Sequence, residues 1–120
     1  MKTDNIVKQK SMGFAIRIVK LVKYLVENMT YVEQSICTQT FKCGTSIGAN
    51  IREAEHAESR DDFIHKMKIA LKEANEADFW LELLYKTEYI NQQQYESLDK
   101  DCKELNKLLT AIVNTTKGNN

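Results

Sequence analysis

The chain has 120 residues, enough for one domain with its own core and too few for two. Hydrophobic residues make up 42% and charged residues 28%, a globular balance that argues against extended disorder. Lysine plus arginine number 17, as do aspartate plus glutamate. A net charge of zero excludes a dedicated nucleic-acid-coating protein, whose affinity comes mainly from neutralising phosphates.

There is no proline and there are only four glycines, so the turns of a β-rich fold lack their usual residues and long helices are expected. Helix 1 is predicted from about Ser11 to Asn28, with an earlier start near Asp4 as the alternative because it is shorter than the other three. Its seam is Phe14, Ile18, Leu21 and Leu25, whose steps of four and three keep side chains on one helix face. Arg17, Lys20 and Lys23 lie away from that seam. They belong to the most basic part of the chain, residues 1–30, which holds six basic and two acidic side chains.

Helix 2 is predicted over about Val32–Ala57, with a smaller, partly polar seam at Ile36, Thr40, Cys43, Ile47, Asn50, Ala54 and Ala57. Gly44 and Gly48 sit four apart on a neighbouring face, beside Ala49. A glycine inside a helix costs roughly 1 kcal/mol relative to alanine, so the pair signals close approach of another backbone, and a self-association face is expected there. Asn50 reads as a buried, hydrogen-bonded amide fixing helix register. A network with Arg52, Glu53 or Ser46, and a polar subunit interface, are the other readings.

Ser59 followed by Asp62 forms a capping-box variant opening helix 3, which is predicted to run to about Lys86. Its seam, Phe63, Met67, Ala70, Ala74, Ala77, Leu81 and Leu84, alternates without a miss. Trp80 and Phe79 lie off it and either cover a bundle corner or anchor a partner. Asn91 with Gln94 opens helix 4 in the same way, and Tyr95, Leu98, Cys102, Leu105, Leu109 and Ile112 form the fourth seam. Short connections between four such helices leave no room for crossovers. The expected fold is all-α, an antiparallel up-down-up-down four-helix bundle, one domain over 1–120 with frayed ends at about 1–10 and 115–120.

Cys37, Cys43 and Cys102 form no C-x-x-C pair and are odd in number, as expected of buried reduced thiols. Met-Lys-Thr-Asp-Asn lacks the apolar run of a signal peptide, and no stretch approaches the ~18 apolar residues that cross a bilayer. The expectation is a cytoplasmic chain without a membrane partner.

Candidate chemistry is sparse. Di-iron bundles use Glu-x-x-His pairs on two helices, and Glu53 with His56, or Asp62 with His65, match that spacing. Both pairs fall beside a loop, and helices 1 and 4 place no acid on their seams. No metal or cofactor is therefore assigned, and a metal-binding bundle enzyme stands as the alternative to a non-enzymatic scaffold. Cys43 lies on a seam and neither histidine is spaced as its partner. Arg17, Lys20 and Lys23 are the candidate nucleic-acid contacts. One copy reaches ~2–3 phosphates, so binding is expected to be weak, sequence-insensitive and salt-dependent. Several copies together would raise it by avidity.

The stretch from Gln39 through Ala54, including Ser46-Ile47-Gly48-Ala49-Asn50-Ile51, is distinctive in combination with other runs. These are Ser59-Arg60-Asp61-Asp62-Phe63, Lys66 through Ala74, then Glu76 and Trp80-Leu81. Together they resemble the bacterial four-helix-bundle family of ribosomal RNA intervening-sequence proteins. The accessory protein of diversity-generating retroelements looks like a relative on the same fold. The resemblance implies a homopentameric ring. For some members it also implies association with nucleic acid or a reverse-transcriptase-like partner. This chain departs from the more basic members at Phe41-Lys42-Cys43, where those often carry adjacent arginines. The functional expectation is a self-assembling, non-enzymatic scaffold or adaptor.

Overall fold

The structure, a computed structural model, describes residues 5–118. Its elements are α1 (Asn5–Leu25) continued by a 3-10 turn (Val26–Asn28), α2 (Gln34–Glu55), α3 (Arg60–Lys86) and α4 (Gln92–Gly118). No strand occurs among the described residues. The helices form a bundle of 49 × 24 × 19 Å in which α1 neighbours α2 and α4, and α3 neighbours the same two. Cross-helix contacts give the polarity. Lys8 pairs with Glu55, Ser11 lies against Gly48 and Ile18 against Gly44, so α2 runs opposite to α1. Glu53 pairs with Lys66, and Cys102 with the Ala74 carbonyl, so α3 and α4 alternate likewise. The up-down-up-down bundle is as the seams implied.

Helix α1 starts six residues before the expected Ser11. Val7 and Ser11 are both buried, and they carry the four–three spacing back through an extra turn and a half. Residues 5–10 and 115–118, expected to fray, are helical, and Thr116 is buried near the end of α4. The remaining residues expected to fray lie outside the described ones.

Each connection carries its own cap. Thr30 and Glu33 exchange backbone and side-chain bonds of 2.8 and 3.3 Å ahead of α2. Tyr89, in the α3–α4 loop, donates its hydroxyl to the same Glu33 carboxylate and ties two loops at one bundle end. The Ser59 hydroxyl accepts from the Asp62 N–H at 3.1 Å. Asn91 and Gln94 satisfy each other's N–H groups at 2.8 Å. Both caps expected from the sequence are therefore present.

All seven seam residues of α3 are buried. The other seams depart at particular positions: Leu21, Ile36, Ala57 and Tyr95 are half-buried, and Cys37 is buried beside Ile36. On α2 the step after Ile47 is four, so Ile51 is buried and Asn50 turns to the flank. On α4 the step after Leu109 is also four, so Val113 is buried and Ile112 is half-buried. Strict four–three alternation has a period of 3.5, whereas a straight helix turns every 3.6 residues, so an extra four is inserted periodically.

Candidate interaction surface

Gly44 and Gly48 face α1 of their own chain. A Cβ on Gly44 would stand 2.8 Å from Ile18 Cγ1 and 2.9 Å from Cγ2. On Gly48 it would meet Ser11 Oγ at 3.3 Å. The expected backbone approach is real, but its partner is intramolecular. This corrects the expectation of a glycine-lined contact between copies at those two positions. Ala49, one residue on, is exposed.

Asn50 is half-buried and donates from Nδ2 to the Ser46 carbonyl at 2.8 Å, within its own helix. It is satisfied, as expected, but it is not a core amide holding register, because Ile51 occupies the seam. Trp80 is half-buried against the main core and meets Phe79 edge-on, ring centres 5.0 Å apart. It covers the α3 edge while Phe79 is 58% exposed.

Arg17 is committed internally. Its Nη1 donates to Asp101 Oδ2 at 2.7 Å and to the Ser97 carbonyl at 3.2 Å, while Nη2 donates to Ser97 Oγ at 2.9 Å. This planar fork clamps α1 to α4 and removes Arg17 from the candidate nucleic-acid contacts. Lys20 and Lys23 are exposed and make no ion pair or hydrogen bond among the described residues.

The residues considered for a metal are engaged locally. Glu53 pairs with Lys66 at 3.2 Å, Asp62 Oδ2 accepts from the Glu58 N–H at 3.1 Å, and His56 caps the end of α2. Among the described residues no three His, Cys, Asp or Glu side chains converge. Burial pushes the Cys43 and Cys102 thiols up to about 12, with Glu73 and Glu76 adding to the rise at Cys43. Thiols held protonated in this way are poor nucleophiles. Among the described residues no helix is long and apolar enough to cross a membrane.

Two features escaped the sequence reading. The first is an apolar flank on α1 and α2: Met12 is 47% exposed, Ile16 46%, Val19 42% and Phe41 44%. Met12 shares a groove of about 300 Å³ with Ala15, Thr45, Gly48, Ala49 and Arg52. Its signal was visible, since residues 12, 16 and 19 repeat the four–three spacing on a second stripe. The second is a polar cluster between α3 and α4. Lys103 Nζ bridges Asp99 at 2.6 Å and Asp78 at 3.4 Å, and Asp99 Oδ1 is buried without a partner. Burial and a hydrogen bond to Asp99 raise Asp78 to about 6. Burial also pushes Asp99 upward, but hydrogen bonds from Asp78 and Lys103 leave it lowered overall.

The 23S rRNA-intervening sequence protein family matches residues 3–111. The chain belongs to that family. A crystal structure at 1.70 Å of a protein of unknown function from the S23 ribosomal protein family of Bacteroides thetaiotaomicron VPI-5482 is similar. Identity is 56%, the TM-score is 0.83, and the match covers 89% of this chain and 97% of that one. No curated protein matches. The family is one of unknown function, and neither match extends to the accessory protein of diversity-generating retroelements.

Proposed function

We propose that this member of the intervening-sequence family is a non-enzymatic scaffold that assembles through copies of itself, most simply into a pentamer. The observation that carries the reading is the exposed apolar flank of Met12, Ile16, Val19 and Phe41. Single exposed apolar residues are ordinary, but a contiguous stripe beside a groove marks an interaction site. The family resemblance supports a ring. Light scattering at micromolar concentration tests it, with an expected mass several times 13.9 kDa. Ile16→Asp is expected to lower that mass while leaving helicity unchanged. A wild-type mass of 13.9 kDa would refute self-assembly, and a stable dimer would refute the pentamer.

Lys20 and Lys23 support a second reading, weak nucleic-acid contact, because they form no ion pair among the described residues. With Arg17 withdrawn, each copy offers fewer cations than the sequence promised. Any affinity must then come from several copies acting together.

A further inference from the structure

We infer that the groove between α1 and α4 beside Tyr24 takes one unpaired nucleotide, its base flat on the Tyr24 ring and its phosphate on Lys20. This rests on the nucleic-acid reading of Lys20 and adds to it a place for the base.

The groove has a volume of about 290 Å³ and is lined by Arg17, Lys20, Leu21 and Tyr24 of α1 and by Gln94 and Leu98 of α4. Helical spacing gathers these side chains. Residues 17, 20, 21 and 24 step by three and four along one side of α1, and 94 and 98 step by four along α4. Leu98 is buried and Leu21 half-buried, which makes the floor apolar. Arg17, held by Asp101 and Ser97, is a fixed wall. Tyr24 is 63% exposed, and its ring stacks on no other ring and its hydroxyl bonds to nothing among the described residues. An aromatic ring open to water beside an unpaired cation is a contact that the fold itself does not use.

The chemistry of the lining selects the ligand. None of the six residues is acidic. Lys20 forms no ion pair among the described residues. Gln94 accepts the Asn91 N–H on Oε1 at 2.8 Å, and its Nε2 donates to nothing among the described residues. A matching ligand is anionic, rich in acceptors and flat. A nucleotide has all three properties: phosphate oxygens for Lys20, ring nitrogens and carbonyls for the Gln94 amide, and a π face for Tyr24.

Charge also limits how much is bound. Past Arg17 the next recess is lined by Lys10, Gly13, Phe14, Arg17, Asp101 and Glu104. Its cations are already matched, Lys10 by Glu104 at 2.6 Å and Arg17 by Asp101 at 2.7 Å. A second phosphate following the seam would meet those acids, so one copy holds one nucleotide. Its affinity is low, and a strand spanning several copies gains by avidity. Bases inside a duplex are stacked on both faces and cannot reach Tyr24. Contact through cations alone has no such preference, because a duplex carries the denser charge.

The test is an NMR titration of isotopically labelled protein at ~50 mM salt, where phosphate contacts are strong. The probes are adenosine 5′-monophosphate, inorganic phosphate, a short oligodeoxyadenylate strand, and that strand paired with its complement. The mononucleotide and the single strand are expected to move the Tyr24 ring and Gln94 side-chain amide signals, with inorganic phosphate binding more weakly. Tyr24→Leu is expected to weaken both roughly 5- to 150-fold, the range that one base–aromatic stack supplies, while Tyr24→Phe keeps wild-type affinity. Circular dichroism checks that each variant is folded. A strand that binds more tightly than the mononucleotide supports the site with a chain nucleotide as its occupant, and equal affinity supports it with a free one. The inference is overturned if Tyr24→Leu binds the single strand as the wild type does, or if the duplex binds as tightly as the single strand. Either result, with Lys20→Gln weakening the binding, leaves the nucleic-acid reading standing on the cations alone. No binding of any probe overturns both.

Discussion

Placing a methyl group on Gly44 tests the close approach of α1 and α2 at Ile18. The new Cβ would lie 2.8 and 2.9 Å from Ile18 Cγ1 and Cγ2, and 3.2 Å from its Cβ, distances at which one partner must move. Ile18 is fully buried, and its β-branched side chain has essentially one rotamer in a helix. Relief must therefore come from separating α1 and α2. Overpacking of this kind costs ~1–3 kcal/mol, while replacing a helical glycine by alanine returns ~1 kcal/mol. Gly44→Ala is expected to be destabilised by up to ~2 kcal/mol in urea denaturation, the net of those two terms. Gly48→Ala should cost less than Gly44→Ala, because its Cβ would stand 3.3 Å from Ser11 Oγ and otherwise at ordinary contact distance, and the strain falls on one 3.0 Å bond from that hydroxyl to the Lys8 carbonyl. A double-mutant cycle isolates the clash. Ile18→Val retains both offending carbons and should not rescue Gly44→Ala, whereas Ile18→Ala removes them and should couple favourably with it. Equal effects of alanine at Gly44 and Gly48 would refute the reasoning.

Three further expectations follow from individual side chains. Ile51→Ala should cost ~2–5 kcal/mol by thermal or urea unfolding, and Asn50→Ala less than ~1 kcal/mol, since only a half-buried helical bond is lost; the reverse order would restore Asn50 to the core. Because Asp78 holds a proton in the folded chain up to about pH 6 that the unfolded chain loses near 3.8, stability should fall as pH rises between those values. Asp99, lowered, acts oppositely and only below 3.8. Asp78→Asn should remove the decline and add ~1–2 kcal/mol at about pH 8, after discounting for a side chain one-third exposed, and an unchanged pH profile would show that the cluster holds no shared proton. Finally, fluorescent RNA and DNA should bind weakly at ~50 mM salt and lose most affinity by ~200 mM, with Lys20→Glu/Lys23→Glu abolishing the signal. Binding that ignores salt would exclude those lysines.

The fold was legible because each seam repeats at helical spacing and each connection carries its own cap residues. Helix α3 shows this best, with seven buried positions in register from Phe63 to Leu84. Where the reading slipped, at Asn50 and Ile112, it extended a coiled-coil alternation one step too far, and the helix's own period restored Ile51 and Val113 to the core. The glycines were legible as a close approach, but nothing local says whether the approaching backbone belongs to the same copy. Arg17 was legible as a cation off the seam. Its commitment to Ser97 and Asp101, some eighty residues away, is a property of the bundle and not of its own helix.

The two levels meet at α2. Because Gly44 and Gly48 carry no side chains, α1 settles directly on α2, and the outer flanks of the two helices become one continuous surface. That closeness leaves a recess beside Gly48 where larger residues would have filled it, with Met12, Ala49 and Arg52 around its edge. A feature read as an intermolecular contact thus acts inside the chain, and its consequence at the surface is an open recess. Lys20 lies in a groove between α1 and α4 with Arg17, Tyr24 and Gln94, so a nucleic acid reaching it would leave most of the α1–α2 flank uncovered. A neighbouring copy would use both what the flank exposes, the apolar stripe and the cations. A phosphate backbone uses only the cations, and these are too few in one copy to bind it well.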